Sequence, residues 1–259
     1  MILHEMLLVV DVGNTQTHFG AFRGTELVEH WRFATVRQST ADELGAKLSN
    51  LLELRGIHTS DISASIVSST VPQLADEWRG MSDRYLDHEM VVVRQGIKTG
   101  MALRYDNPRE IGADRLVNAV AAYERFQGAC VVVDFGTAIT YDPVSADGEY
   151  LGGIISPGVE ISLEALTARA AALPRIDLIA PRQLIGKSTV EGIRSGVIYG
   201  FAGGVDAICE RLMDELGRDI DLIATGGLAR SIVPHCRTID EVDDLLTLTG
   251  LRLLHERNS

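Results

Sequence analysis

Leu7 to Phe19 reads LLVVDVGNTQTHF, an apolar run that meets an acid, a glycine, an amide and hydroxyls before turning apolar again. The pattern returns from Cys130 to Thr140 as CVVVDFGTAIT. Asp, Gly and Asn disfavour strands, so each stretch reads as a buried strand, a tight turn and a second strand. Aligning Asp11 with Asp134 puts a glycine two positions on (Gly13, Gly136) and a threonine six positions on (Thr17, Thr140) in both copies. Asn14 and Thr15 lie between them in the first copy, Thr137 in the second. One copy alone is no more than a good hairpin turn. Two copies in matched surroundings imply two halves of one architecture, each opening strand–turn–strand and continuing into helices.

Polyphosphate binding is the chemistry that suits such turns. A glycine lets the backbone approach phosphate oxygens and aim its N–H groups at them, and nearby hydroxyls and amides add uncharged donors. An acid at the strand end would repel phosphate unless a cation stands between, so each Asp implies Mg²⁺ or a monovalent ion. Neither GxxxxGK[ST] nor GxGxxG occurs, which sets aside P-loop and Rossmann folds. A third strand end, Ala224 to Gly227 (ATGG), precedes a helix and could pack against an adenosine. The triple resembles the actin-like ATPase and sugar-kinase superfamily, and that resemblance implies an α/β fold of two duplicated actin-like (ribonuclease H-like) domains with an ATP cleft between them.

Periodicity predicts an antiparallel meander over residues 6–12, 17–22 and 26–34, a helix over 41–54 and a strand over 63–68. A helix opened by Pro72 and running to about Tyr85, and a strand over 90–93, complete the first half. A helix from Ala113 follows, then strands over 130–133, 139–141 and 150–155, and a helix over 160–172. A long helix over 189–216 is announced by Ser188-Thr189-Val190-Glu191, a capping-box pattern. Gly196, Gly200, Gly203 and Gly204 weaken that helix or let a neighbour approach closely. A strand over 221–225 and a helix over 245–256 end the chain. The expected domains are residues 1–118 and 119–259.

Bulk properties narrow the class. The chain has 259 residues, 46% hydrophobic and 23% charged, as in ordinary globular proteins. No apolar run is long enough for a transmembrane helix, and the opening MILHEM lacks a secretory pattern; residues 1–5 form a short leader of no evident purpose. The cytoplasm is the expected compartment, with no membrane partner. A net charge of −12 argues against a nucleic-acid surface, though not against an anionic substrate held by local donors. Three cysteines, Cys130, Cys209 and Cys236, have no zinc-ligand spacing and read as small buried hydrophobes.

The densest polar segment, Leu103 to Asn118 (LRYDNPREIGADRLVN), gathers acids and arginines around Gly112 just before a helix. Asp114 there can accept a proton from a substrate hydroxyl, and Arg115 can grip a carboxylate. The alternative is an acid that stabilises the helix dipole, with Arg115 on a solvated face.

YDNPREIGADRLVNAVAAYE, DVGNT, VVDFGTAIT, GEYLGGIISPGVEIS, IGKSTVE and ATGGLA, colinear from Leu7 to Asn258, together resemble the type III pantothenate kinases. That resemblance implies ATP-dependent phosphorylation of pantothenate to 4'-phosphopantothenate, the first step of coenzyme A biosynthesis, by a homodimer enclosing pantothenate at its interface. It implies ATP contacts, with Mg²⁺, from Asp11, Val12, Gly13, Asn14, Thr15, Gln16, Thr17, His18 and Thr137. It further implies pantothenate contacts from Tyr105, Gly112, Ala113, Asp114, Arg115 and Thr189, a proton acceptor in Asp114, and a monovalent cation (K⁺ or NH₄⁺) on Asp134. Gln16-Thr17-His18 replaces a more usual Asn and apolar pair, and Ile139 stands where threonine is common. His18 reads better as a strand residue than as a phosphate ligand. Two other readings stay open: a small-molecule kinase with another acceptor, and a regulatory or accessory protein that kept the fold and lost catalysis.

Overall fold

The computed structural model describes residues 5–169, 176–239 and 241–259. Strands β1 (Met6–Val12), β2 (Gln16–Arg23) and β3 (Glu26–Ala34) open the chain as the expected meander. Helix α1 (Ala41–Glu53), strand β4 (Ile62–Ser69), helix α2 (Pro72–Tyr85) and short strand β5 (Val91–Val92) follow. The chain continues through β6 (Ala102–Leu103) and α3 (Ala113–Phe126) into β7 (Cys130–Phe135), β8 (Ala138–Val144), β9 (Glu149–Tyr150) and β10 (Ile154–Pro157). It ends with α4 (Val159–Arg169), α5 (Thr189–Leu216), β11 (Asp221–Thr225), α6 (Ala229–Ile232), β12 (Glu241–Val242) and α7 (Leu246–Asn258). Two compact units result. The first takes the chain through Gly100, Asp106–Ala121 and Leu246–Ser259; the second takes Met101–Tyr105 and Ala122–Leu245. The last helix in sequence thus belongs to the first unit.

The sheet of the first unit has the order β3-β2-β1-β4-β5, antiparallel on the β3 side of β1 and parallel on the β4 side. The apolar run before Asp11 is buried on both faces. Leu8, Val10 and Val12 share a cluster with Leu44 and Leu48 of α1 and Leu74, Trp78 and Met81 of α2. Helix α7 packs on β1, β2 and β4, and Gly250 lets it approach α3, because a Cβ there would meet the backbone of Val117. Thr247 Oγ1 donates to Asn118 Oδ1 at 2.7 Å across the same contact.

The second unit repeats the plan. Its sheet order is β12-β11-β7-β8-β9-β6, with β10 also paired to β8. Strand β7 is antiparallel to β8 and parallel to β11, as β1 is to β2 and β4. Val131, Val133, Phe135, Ile139 and Tyr141 pack with Ile198, Ala202, Val205 and Cys209 of α5. The duplication read from the two turns is therefore a duplication of sheet topology, and the α/β fold is the two-domain fold of the actin-like ATPases and sugar kinases.

Two local expectations change. The single strand over 150–155 is two strands, β9 and β10, separated at Gly152, whose φ of +121° takes the chain out of the ladder. The capping box of α5 is half formed. Ser188 Oγ accepts from Glu191 N at 3.3 Å, but the Glu191 carboxylate turns to Arg194 Nη1 at 3.1 Å and Arg182 N at 3.4 Å. The guanidinium of Arg194 outcompetes a backbone amide for that carboxylate. The end of the helix expected over 160–172 lies outside the described residues beyond 169.

Candidate active site

The first turn hangs between β1 and β2. Gly13 N donates to Gln16 O at 3.0 Å, and a Cβ on Gly13 would come 3.0 Å from that same oxygen, so only glycine closes the turn without displacing it. From below, Thr35 Oγ1 donates to Gly13 O at 2.8 Å and Thr35 N to Thr15 O at 2.9 Å, while the Thr17 and Thr35 hydroxyls lie 2.9 Å apart. Arg37 Nη2 reaches Asn14 Oδ1 at 2.9 Å. Asn14, Thr15 and Gln16 are exposed, Val12 and Thr17 buried, and Asp11 half-buried. Asp11 pairs across the ladders with His18 on one side and Ser68 on the other. Ser68 is fully buried, and its Oγ makes no hydrogen bond among the described residues.

His18 is buried on β2, with Nε2 3.1 Å from His30 Nδ1. Burial first, then the charges of Arg32 and His30, lower its pKa from 6.5 to about 3. The imidazole is neutral near pH 7 and offers no positive charge to a phosphate.

In the second unit Asp134 is the penultimate residue of β7, paired with Thr140 on β8 and Thr225 on β11. Gly136 N donates to Ala138 O at 3.1 Å, closing the turn as Gly13 does. Gly226, the first glycine of ATGG, has φ +95°, and a Cβ there would collide with Asp134 Oδ1 and the Phe135 backbone. The ATGG turn and the Asp134 turn are thus packed backbone to carboxylate. A Cβ on Gly158 would meet the carbonyl of Thr137, which fixes that turn from its other side.

Asp114 stands in the first turn of α3. Arg115 N donates to its Oδ1 at 2.9 Å. Gly112 makes room for this carboxylate, since a Cβ there would lie 2.5 Å from Oδ1. Burial raises the Asp114 pKa above 3.8, opposed by the Arg115 N–H and the Arg115 charge. A carboxylate with raised basicity at a helix N-terminus is suited to take a proton. Arg115 is only 6% exposed, which removes the alternative of a solvated face. Gly112 and Ala113 are half-buried beside it.

Tyr105 belongs to the second unit, half-buried, its ring centroid 6.3 Å from that of Tyr150. Thr189 is exposed at the first position of α5. Thr35, Arg37 and Ser68 escaped the reading of the sequence. None lies near its turn in the chain, and only sheet pairing brings them there.

A family model described as type III pantothenate kinase matches residues 7–211. A type III pantothenate kinase of Anaeromyxobacter sp. (strain Fw109-5) is 51% identical over 253 residues, covering 98% of this chain and 100% of that one. Another, of Moorella thermoacetica, is 49% identical over 254 residues, with 98% and 100% covered. Among solved structures, the activator of the 2-hydroxyisocaproyl-CoA dehydratase from Clostridium difficile, with bound ADPNP, aligns with a TM-score of 0.58 at 13% identity, covering 98% of this chain and 96% of that one. That likeness speaks to the fold alone.

Proposed function

This chain belongs to the type III pantothenate kinase family, and from that premise we propose how its own residues transfer the γ-phosphoryl group of ATP to the hydroxyl of pantothenate. The products are 4'-phosphopantothenate and ADP, and the reaction opens coenzyme A biosynthesis. The observation that carries the mechanism is the Asp114 carboxylate, made more basic by burial and held by the Arg115 N–H in the space that Gly112 leaves open.

In this reading Asp114 takes the proton of the pantothenate hydroxyl as the new O–P bond forms and the bond to the β–γ bridging oxygen breaks, releasing ADP. Arg115, Gly112 and Ala113 hold the acceptor around that carboxylate, and Tyr105 and Thr189 bind pantothenate. Asp11 to His18 receive the ATP phosphates through the backbone and hydroxyls of the first turn. His18 serves there as a neutral strand residue beside Asp11. Thr137 contacts ATP from the second turn, with its carbonyl fixed by Gly158.

Among the described residues no group of three or more His, Cys, Asp or Glu could hold a metal. A cation at either turn acid would complete its shell from phosphate oxygens and water. That suits Mg²⁺ carried with a nucleotide. Asp11, with the buried Ser68 hydroxyl opposite it on the adjoining strand, fits such an ion. Asp134, packed against the Gly226 backbone, fits a monovalent cation such as K⁺ or NH₄⁺. When bound, these ions neutralise charge on the transferring phosphoryl group.

We assign a homodimer on the apolar face of the second unit. A groove of about 460 Å³ runs between α4 and α5, lined by Leu163, Leu166, Ile193, Val197 and Phe201. Gly196 and Gly200 line it too, with open space where a Cβ would stand. A second copy of the chain could close over this seam. The dependence on ATP makes the cytoplasm its working compartment.

The test is ADP release from ATP with and without pantothenate, each with and without K⁺. Pantothenate-dependent ADP that rises with K⁺ is expected. No ADP above the ATPase background under any of these conditions would overturn the reading.

A further inference from the structure

Asp142 is 0% exposed, inside strand β8. An acid is tolerated there only if its oxygens are hydrogen-bonded, and the two oxygens of Asp142 are used in different directions. Oδ2 accepts from Thr140 Oγ1 at 2.8 Å, and Oδ1 accepts from the Tyr150 hydroxyl at 2.7 Å. Thr140 is the rung partner of Asp134. Tyr150 packs its ring against Tyr105 at 41°, and Tyr105 lies over Gly152, where a Cβ would come within 3.7 Å of the ring.

Register and alternation put Asp134, Thr140, Asp142 and Tyr150 on one face of the sheet. The other face carries Val133, Phe135, Ile139 and Tyr141 into the apolar core. The polar line therefore runs along the sheet from the Asp134 turn to Tyr105. Simple packing does not call for a carboxylate, since an aliphatic side chain would hold the sheet without the cost of burying a charge. What the carboxylate adds is direction, because each hydroxyl is held at a fixed angle from a single planar group.

We propose that Asp142 is a positioning residue that clamps the Tyr105–Tyr150 pair to the Asp134 turn and so sets where Tyr105 meets the acceptor. This inference rests on the role proposed above for Tyr105 toward pantothenate. Asp142 itself touches neither substrate.

Steady-state kinetics on the full chain test it. Tyr150→Phe removes only the hydroxyl and should raise KM for pantothenate on the order of tenfold, the effect of losing one hydrogen bond to a charged group. KM for ATP should stay within about twofold of wild type, since the residues proposed to touch ATP keep their contacts. Thr140→Val releases the other end, and its effect should be smaller in the Tyr150→Phe background than alone, because both act on one clamp. Asp142→Asn keeps the planar shape but replaces one acceptor oxygen by an N–H donor, so one of the two donating hydroxyls loses its acceptor and KM for pantothenate should rise by a comparable factor.

Three results would overturn the clamp: unchanged pantothenate KM in Tyr150→Phe with only a lower melting temperature, independent effects of the two hydroxyl deletions, or wild-type pantothenate KM in Asp142→Asn. Wild-type turnover in the same assay separates the two levels. An inactive wild type takes down the kinase reading and the clamp with it, whereas active wild type with unaffected variants takes down the clamp alone.

Discussion

The role proposed for Asp114 comes at a cost to stability. Its folded pKa is raised by burial above 3.8. As pH rises through the window between the unfolded and folded values, the unfolded chain loses its proton first. Stability therefore falls across that window, and the carboxylate remains a liability at neutral pH. Asp114→Asn should lower kcat/KM by roughly 10²- to 10⁴-fold, the usual range for a general base. The same variant should melt higher than wild type at pH 7, and the gain should shrink as the pH approaches 3.8. Calorimetry at two pH values and a coupled ADP assay check both. Near-full turnover in the variant would end the proton-acceptor assignment. The residue types of GADR left Asp114 open between proton transfer and a helix-dipole role, and Arg115 between a grip on substrate and a solvated face. Its burial settles that face, and burial comes from packing that no window of sequence contains.

Among elements, the two turns carry the most information, and each depends on a glycine for a different reason. Gly13 closes its own hairpin. Gly226 belongs to a distant strand end and is required because its Cα lies against Asp134 at φ +95°. Gly226→Ala should cost about 1–3 kcal/mol from backbone strain alone and should also displace Asp134. Urea unfolding would read the first effect, and a higher K⁺ concentration for half-maximal activity the second. Wild-type behaviour in both would show that the ATGG turn does not brace Asp134. Strand and helix positions were largely legible, because period-two and period-3.6 patterns are local. The failures were equally physical. Gly152 leaves the ladder at positive φ where the apolar pattern continues, and Glu191 prefers the guanidinium of Arg194 to its capping role.

At the scale of the whole molecule, α5 turns a row of glycines outward. Among the described residues, nothing beyond the helix itself lies within 4 Å of where a Cβ would stand on Gly192, Gly196, Gly200, Gly203 or Gly204. Glycine costs about 1 kcal/mol relative to alanine in a helix interior, and apart from Gly192, against which Gly186 packs, no close approach among the described residues calls for a glycine at these positions. A closely approaching second copy would. Gly200→Glu should therefore leave the monomer's melting temperature unchanged or higher while converting a dimer to a monomer in light scattering. A wild-type monomer at micromolar concentration would remove the homodimer assignment. The assembly of the first unit from three separate stretches, with α7 on β1, β2 and β4, is likewise a property of the whole.

The linear sequence alone determined the duplication, the two Asp-x-Gly turns, most strands and helices, and the family through its colinear motifs. Each of these depends on short-range periodicity, turn chemistry or residue order. Tertiary structure alone decided that Ser68 and Thr225 flank the two turn acids, that Thr35 braces the first turn, and that α7 packs on α3. It also decided that Asp142 joins Thr140 to Tyr150. These contacts follow from strand order and helix packing, and a contact between distant residues leaves no local pattern to read.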